Sequence, residues 1–198
     1  MHEETAAMLD HVRAALPASG AHGFDHTLRV VHLCEAIGAR EGADMAVLIP
    51  AATFHDIARP LEEETGTPHQ EEGARMAAVY LESIRYPADL IPGIAHAIRA
   101  HRYSSGIAPE TLEARVLSDA DNLDAMGAVG IARTFLQAGE QGRGIEDATR
   151  HFHDKLLNLK DRMYTKSARA IARERHAFLV AFLDALDGET GARIPTDA

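Results

Sequence analysis

The sequence predicts an all-α fold. Apolar residues recur at intervals of three and four along the chain, whereas the alternating runs typical of β-strands and hairpin signals such as Asn-Gly are missing. The length of 198 residues suffices for one domain with a sizeable core. We therefore expect a single helical domain over residues 1–198, with a core at about 24–135 and a C-terminal helical extension at about 146–187.

The helix boundaries follow from the apolar period and from the residues that interrupt it. Clusters of glycine, proline and polar residues predict turns at about 17–23, 59–67, 104–109 and 139–144. The predicted helices span, in order, about 3–16, 26–40, 44–56, 68–85, 88–102, 110–125, 128–138, 146–163 and 167–187.

The second and third predicted helices carry the first candidate ligands. At about 100° per residue, His26 falls on the apolar stripe of its helix and should point into the core. The segment Met45–Phe54 is apolar on every face and should be buried, yet His55 and Asp56 follow directly at its end. Buried charges persist in proteins when they are paired or bind a metal. The doublet presents one nitrogen and one oxygen ligand about 100° apart, and it therefore indicates a metal site.

The fourth and fifth predicted helices place two more histidines near the core. Residues 67–70 supply an N-cap threonine, a first-turn proline and a capping-box glutamine, which fix the register of the fourth helix and put His69 on its core stripe. In the fifth helix, His101 lies about 70° from the centre of the apolar side and His96 lies nearly opposite that centre. We therefore expect His101, rather than His96, to point inward.

The sixth predicted helix contains three aspartates among which the helical period does not decide. Asp119, Asp121 and Asp124 lie in the segment 118–125, and Asp121 is farther from the apolar centre than the other two. The choice of a ligand among them needs information beyond periodicity.

Charge and composition limit the classes of partner. The formal net charge is −10 and no basic stripe is interleaved with aromatic residues, so polymeric DNA or RNA is not an expected partner. No apolar run approaches the ~20 residues that span a bilayer, and the N-terminus lacks the basic flank and apolar block of a signal peptide. Cys34 is the single cysteine and cannot form an internal disulfide, which agrees with a reducing compartment. We therefore expect a cytoplasmic protein with no membrane partner. A small phosphorylated substrate fits the charge, because a bound divalent cation can reverse the local sign. The sequence leaves the oligomeric state open.

The order of the candidate ligands resembles the HD-domain superfamily of metal-dependent phosphohydrolases. The resemblance consists of the isolated His26, the doublet His55-Asp56 about thirty residues later, and the distant Asp121. The sequence looks similar to the small bacterial HD hydrolases that act on nucleotides. The matching segments are residues 26–30, 51–57 and 117–128, within a region of about 24–135. Residues 152–157 and 169–182 match more loosely.

This resemblance implies an all-helical fold and a divalent metal bound by His26, His55, Asp56 and Asp121. It also implies hydrolysis of a phosphoester or phosphoanhydride of a small substrate, which we expect to be a nucleotide. Mixed nitrogen and oxygen ligands suit Mn²⁺, Fe²⁺, Co²⁺, Ni²⁺ or Zn²⁺ better than Mg²⁺. We expect one ion rather than two.

The resemblance also suggests catalytic roles. Asp56 would bind the metal and accept a proton from water, and His69 or His101 would donate a proton, contact phosphate or hold a second metal. Arg59 would clamp a phosphate, or would be a solvated loop cation; it stands where some nucleotidases of the superfamily carry a glutamate, so the water-activating base is not identified. Two alternatives remain open: a di-iron HD-type oxygenase, which would consume oxygen, and a non-catalytic nucleotide-binding sensor.

Overall fold

The computed structural model describes residues 2–18, 23–102 and 106–191. Within these ranges the chain forms helices joined by turns and contains no β-strand, so the predicted all-α fold is confirmed. Parts of the predicted turns at 17–23 and 104–109 lie outside the described residues. The helices are α1 (His2–Ala15), α2 (Phe24–Glu41), α3 (Met45–Phe54), α4 (Arg59–Thr65), α5 (His69–Ser83), α6 (Ile91–Ala100), α7 (Leu112–Asp124), α8 (Gly127–Glu140), α9 (Ile145–Asp154) and α10 (Lys166–Thr190), and a 3₁₀ helix, Leu156–Arg162, lies between α9 and α10.

Two segments differ from the sequence prediction. Residues 59–65 were expected in a turn, but they form α4, which begins with Arg59 and Pro60. Proline is favourable in a first helical turn, because its missing N–H would have no partner there anyway. The predicted helix at 146–163 breaks at Lys155, whose backbone (φ −131°, ψ −58°) departs from the α region, and the chain continues as the 3₁₀ helix.

Helix α3 lies in the middle of the core. Every residue from Val47 to Phe54 is buried, and the helix packs against α1, α2, α5, α6 and α7. The Asp44 side chain caps the helix by accepting a hydrogen bond from Ala46 N. Because α3 is enclosed along its whole length, the two residues that follow it, His55 and Asp56, are also buried.

The neighbours of α3 bring the remaining candidate residues to its C-terminal end. Helix α2 lies close to α3, and a Cβ atom added at Gly38 would meet Leu48 Cδ2 at 2.5 Å, so a larger residue at this contact would force the Leu48 side chain to shift. Helix α7 packs on α2, α3 and α6, and α10 packs on α2, α7 and α8. Across the three described ranges, none of the helices combines the length and apolar character that a membrane crossing requires.

Candidate metal centre

Four histidines meet around Asp56 at the C-terminal end of α3. His26 belongs to the first turn of α2, His55 directly follows α3, His69 begins α5, and His101 directly follows α6. All four side chains and Asp56 are at most 1% exposed. The inward orientation expected for His26, His69 and His101 from the helical period therefore agrees with their burial.

Two of the histidines are fixed by backbone carbonyl groups. His55 Nδ1 donates a hydrogen bond to Ala52 O at 2.7 Å, and His101 Nδ1 donates to Ile98 O at 2.6 Å. A carbonyl oxygen can only accept, so the proton of each neutral ring resides on Nδ1. The Nε2 atom of each ring is left with a lone pair that can bind a metal.

The other two histidines are fixed by carboxylates. His26 Nδ1 lies 2.7 Å from Asp124 Oδ2, and His69 Nδ1 lies 2.7 Å from Glu62 Oε2. Burial opposes ionisation of Asp124, but its hydrogen bonds with His26 and Arg29 hold its pKa at about 2. Partial burial likewise opposes ionisation of Glu62, and its hydrogen bond with His69 and the nearby charges of Arg59 and Arg102 lower the pKa of Glu62 below the usual value. Both carboxylates therefore accept, and a carboxylate or carbonyl partner of this kind commonly orients a metal-binding histidine.

The four Nε2 atoms face the two oxygens of Asp56. Oδ2 lies 3.6 Å from His26 Nε2 and 3.8 Å from His55 Nε2. Oδ1 lies 3.3 Å from His69 Nε2 and 3.7 Å from His101 Nε2. The ligand atoms form a first group (His26, His55 and Asp56) and a second group (Asp56, His69 and His101), and within each group they lie within 4.8 Å of one another. Asp56 therefore divides its two oxygens between two sets of candidate ligands.

The donor atoms of each group fit a divalent cation. The Nε2 atoms of His26 and His55 are 3.3 Å apart, and those of His69 and His101 are 3.4 Å apart. Burial lowers the pKa of both His55 and His69 to about 4, so these rings are neutral near pH 7. When the proton of a neutral ring is on Nδ1, its Nε2 atom carries a lone pair. These lone pairs face the Nε2 atom of the neighbouring histidine and the carboxylate of Asp56. A cation between them removes this repulsion, and two histidines with a carboxylate are a common ligand set for a transition metal.

Asp121 adds a second carboxylate at the first group. Its Oδ1 lies 3.3 Å from His26 Nε2, and its side chain keeps 29% of its surface exposed. Burial opposes ionisation of Asp121, but the hydrogen bond and charge of His26 hold its pKa well below the usual range. Burial also opposes protonation of His26, yet Asp121 and Asp124 raise its pKa. The two carboxylates beside the His26 ring mark this position as one that favours positive charge.

Arg59 lies beside the second group. Its Nε donates to Asp56 Oδ1 at 3.1 Å, and its Nη1 donates to Glu62 Oε2 at 3.2 Å. The interpretation of Arg59 as a solvated loop cation is therefore wrong, because the side chain is 21% exposed and forms ion pairs with both carboxylates. Helix α4, which the sequence prediction missed, places Arg59 and Glu62 one turn apart on the same face.

Asp119 and His96, the alternatives in the sequence to Asp121 and His101, form hydrogen bonds outside the metal centre. Asp119 accepts hydrogen bonds from Tyr164 N at 2.8 Å, Thr165 N at 2.8 Å and Thr165 Oγ1 at 2.7 Å, and so joins α7 to the start of α10. His96 Nε2 accepts a hydrogen bond from Glu110 N at 3.2 Å. Neither side chain belongs to the two groups around Asp56.

Sequence reasoning missed Asp124 and Glu62 as the carboxylates that orient His26 and His69. The helical period does not distinguish Asp124 from the other two aspartates of α7, and its partner is 98 residues away in the chain, so no local pattern reports the contact. Glu62 lay in a segment expected to be a turn. The proline at the start of α4 was the signal that would have placed Arg59 and Glu62 on a helix.

Comparison with known proteins gives similarity over most of the chain. Residues 23–126 match the HD domain family. The Bacillus subtilis (strain 168) protein YpgQ is 35% identical over 173 residues, which cover 85% of this chain and 84% of YpgQ. The crystal structure of B. subtilis YpgQ in complex with ADP has a TM-score of 0.79 at 30% identity, and the match covers 97% of this chain and 98% of that chain.

Two further relatives differ in how much of their length is matched. The crystal structure of a predicted HD superfamily hydrolase from an uncultured Thermotogales bacterium has a TM-score of 0.73 at 33% identity, covering 93% of this chain and 91% of that chain. Ribonuclease Y of Thermoanaerobacter pseudethanolicus (strain ATCC 33223 / 39E) is 30% identical over 138 residues, which cover 70% of this chain but 25% of Ribonuclease Y. The chain thus spans about a quarter of Ribonuclease Y and nearly the whole of the other two proteins.

Proposed function

The chain belongs to the HD domain family, and we propose that it is a metal-dependent phosphohydrolase that acts on a small nucleotide. The observation that carries this proposal is the convergence of four histidine Nε2 atoms on Asp56, with each ring fixed at Nδ1 by an oxygen acceptor. The complex of YpgQ with ADP supports a nucleotide as the ligand, because that structure matches this chain along almost its full length.

We assign the metal to the first group together with Asp121. His26, His55, Asp56 and Asp121 supply two nitrogen and two oxygen ligands, a set that suits Mn²⁺, Fe²⁺, Co²⁺, Ni²⁺ or Zn²⁺ better than Mg²⁺. A divalent ion held there would lower the pKa of a water molecule and polarise the phosphate group under attack.

The protein's own residues then bind, orient and move protons. Asp56 lies between both groups and accepts the proton of the attacking water. Arg59, held against Asp56 and Glu62, directs its remaining donors to a phosphate oxygen. Because burial lowers the pKa of His69 to about 4, His69 carries no proton to donate from Nε2 near pH 7. When both ring nitrogens of His101 carry protons, Nδ1 keeps its hydrogen bond to Ile98 O and Nε2 can protonate the leaving oxygen, so we assign that step to this form of His101 and a phosphate-binding or positioning role to His69.

We propose one ion per chain, although the second group offers a further set of ligands. The guanidinium of Arg59 lies 3.1 Å from Asp56 Oδ1 and already supplies that oxygen with positive charge. A second cation beside His69 and His101 would experience repulsion from this guanidinium.

Metal analysis of three proteins tests the number of ions. Wild type and His69→Ala should each bind about one ion, while Arg59→Met, which removes the competing charge, should approach two. A wild-type value near two that falls to one in His69→Ala would contradict the proposal and favour the di-iron oxygenase. All preparations should be reconstituted anaerobically, so that Fe²⁺ is not lost by oxidation.

A screen of substrates tests the reaction. Nucleoside mono-, di- and triphosphates would be incubated with each divalent ion in turn, and phosphate, pyrophosphate and oxygen would be measured. We expect release of phosphate or pyrophosphate without oxygen uptake. An RNA oligonucleotide serves as the polymeric control and should remain intact, because the net charge of −10 repels a polyanion. Oxygen uptake would identify an oxygenase, and tight nucleotide binding without any product would identify a sensor; either result rejects the proposal.

A further inference from the structure

A groove runs between α8 and α9, and its lining includes Arg133, which is paired with Asp124. Its inner part is a cavity of about 80 Å³ lined by Arg133, His151 and Lys155 together with parts of α8. A second cavity of about 240 Å³ shares Thr134, Gln137 and His151 with the first and extends to Arg143. We call the two cavities together the α8–α9 groove. In the described chain, no Phe or Tyr side chain lines either part.

The charged lining of the groove is mainly positive. Arg133, Arg143 and Lys155 contribute cationic side chains, and His151 lies between them. Asp147 is the acidic residue in the lining, and it is paired with Arg150 at 2.8 Å. The groove is therefore suited to an anion, in a protein whose net charge is −10.

Lys155 is the cation of the groove that is best placed to meet a ligand. Its side chain is exposed and, among the described residues, has no hydrogen bond or ion pair. It follows α9 at the point where the predicted helix breaks, so the chain turns here and the lysine lies at the end of the helix. An unpaired ammonium at the mouth of a positively charged cavity can neutralise a bound anion without first breaking an internal contact.

The groove connects with the proposed metal ligands in two ways. Although Lys155 is exposed as a residue, the surrounding protein partly desolvates its ammonium group and lowers its pKa, whereas Asp121 raises it, so the lysine lies within electrostatic reach of a metal ligand. On the other side of the inner cavity, Arg133 Nη1 donates to Asp124 Oδ2 at 2.7 Å, and the same oxygen lies 2.7 Å from His26 Nδ1. The inner cavity is therefore joined through Arg133 and Asp124 to the ring of His26, a proposed metal ligand.

We propose that the α8–α9 groove binds the phosphates of a polyphosphate substrate that lie beyond the reacting phosphate, with Lys155 as its principal contact. The inference rests on the proposed function and specifies its substrate class as a nucleotide with at least two phosphates. The absence of Phe and Tyr from the described lining argues against a site for the base, and the cationic lining favours phosphate oxygens.

Calorimetry with two hydrolysis-resistant probes tests the groove on the Mn²⁺-loaded protein. Methylphosphonate can occupy the metal centre alone, whereas methylenediphosphonate can also reach the groove. Wild type should bind the diphosphonate more tightly than the monophosphonate. Lys155→Met should weaken diphosphonate binding by about tenfold to a hundredfold and monophosphonate binding by less than about threefold. Lys155→Arg should retain most of the preference.

Lys160→Met is the matched control, because Lys160 belongs to the neighbouring 3₁₀ helix and is paired with Asp161 rather than facing the groove. It should leave both affinities unchanged. Equal weakening of both probes by Lys155→Met, or no preference for the diphosphonate in wild type, would overturn the inference. A nucleoside α,β-methylene diphosphate that binds more tightly than methylenediphosphonate would identify the polyphosphate as a nucleotide, and equal binding would indicate an inorganic polyphosphate in the same groove. Failure of the proposed function would give a different result. The protein would turn over no phosphate substrate, but wild type would still bind the diphosphonate more tightly than the monophosphonate, and Lys155→Met would still lose this preference.

Discussion

Replacement of Asp124 by asparagine tests the carboxylate that orients a metal-binding histidine, without changing that histidine, His26, itself. Asp124 is 1% exposed and its Oδ2 fixes His26 at Nδ1. The same carboxylate also accepts hydrogen bonds from Arg29 Nε at 2.8 Å and Arg133 Nη1 at 2.7 Å. Asp124→Asn keeps the volume of the side chain but removes its negative charge, so His26 loses the anion that orients its ring.

Two magnitudes follow from these contacts. Loss of a carboxylate that supports a metal-binding histidine typically weakens metal affinity by about tenfold to a hundredfold. Two partly buried arginine contacts also lose their anionic partner, and we expect the free energy of unfolding to fall by about 2–4 kcal/mol. For a chain of this length that corresponds to a decrease in Tm of roughly 5–15 °C.

Asp119→Asn provides the matched control for this experiment. Asp119 is a buried carboxylate on the same helix, but it binds Thr165 and the neighbouring backbone at the start of α10. It should lower the Tm without changing metal affinity. Metal affinity would be measured by competition with a chelator, and Tm by circular dichroism on the metal-free proteins. If Asp124→Asn lowered the Tm but bound metal like wild type, the assignment of His26 as an oriented ligand would be refuted.

Three further predictions follow from the centre. His101→Ala should reduce turnover by about tenfold to a thousandfold while His96→Ala has a much smaller effect, and steady-state kinetics would check this; equal losses would contradict the assignment of His101. In the metal-free protein, burial lowers the pKa of His55 and of His69 from 6.5 to about 4, so the unfolded chain binds more protons than the folded chain between these values. This stability is present above pH 6.5 and should be lost as the pH falls towards 4, by up to about 1.4 kcal/mol per pH unit for each histidine. Urea unfolding at several pH values measures the slope, and a flat profile would show that the two rings are not buried in neutral form. Metal should also dissociate in the same pH range, because protons compete for Nε2, and a chelator assay would detect this; retention of metal at pH 4 would argue against histidine ligands.

The helical periodicity of the sequence predicted more residues of the metal centre than its local composition did. It placed His26, His69 and His101 toward the core, because burial of one helix face imposes a repeat that is visible in the sequence. The His55-Asp56 doublet was informative for a similar reason, since it follows a helix that is apolar on every face. These signals are local, and a single sequence contains them.

The aspartates of α7 show where this reasoning stops. Asp119 and Asp124 are both more deeply buried than Asp121, and their partners lie 46 and 98 residues away along the chain. Only the packing of α2 and α10 on α7 reveals that these two carboxylates are engaged and that Asp121 retains an exposed edge at the first group. The same limit applied to α4, where a proline typical of a turn in fact begins the helix that carries Arg59 and Glu62.

The most direct test of the central claim is to follow hydrolysis against metal occupancy in one preparation. Chelator-treated protein would be reloaded with increasing Mn²⁺, and bound metal and nucleotide hydrolysis would be measured at each step. We predict that activity rises in proportion to occupancy and that Asp56→Ala, with its fold verified by circular dichroism, neither retains the ion nor hydrolyses the nucleotide. Hydrolysis by protein that carries no metal, or full activity and metal content in Asp56→Ala, would contradict the account.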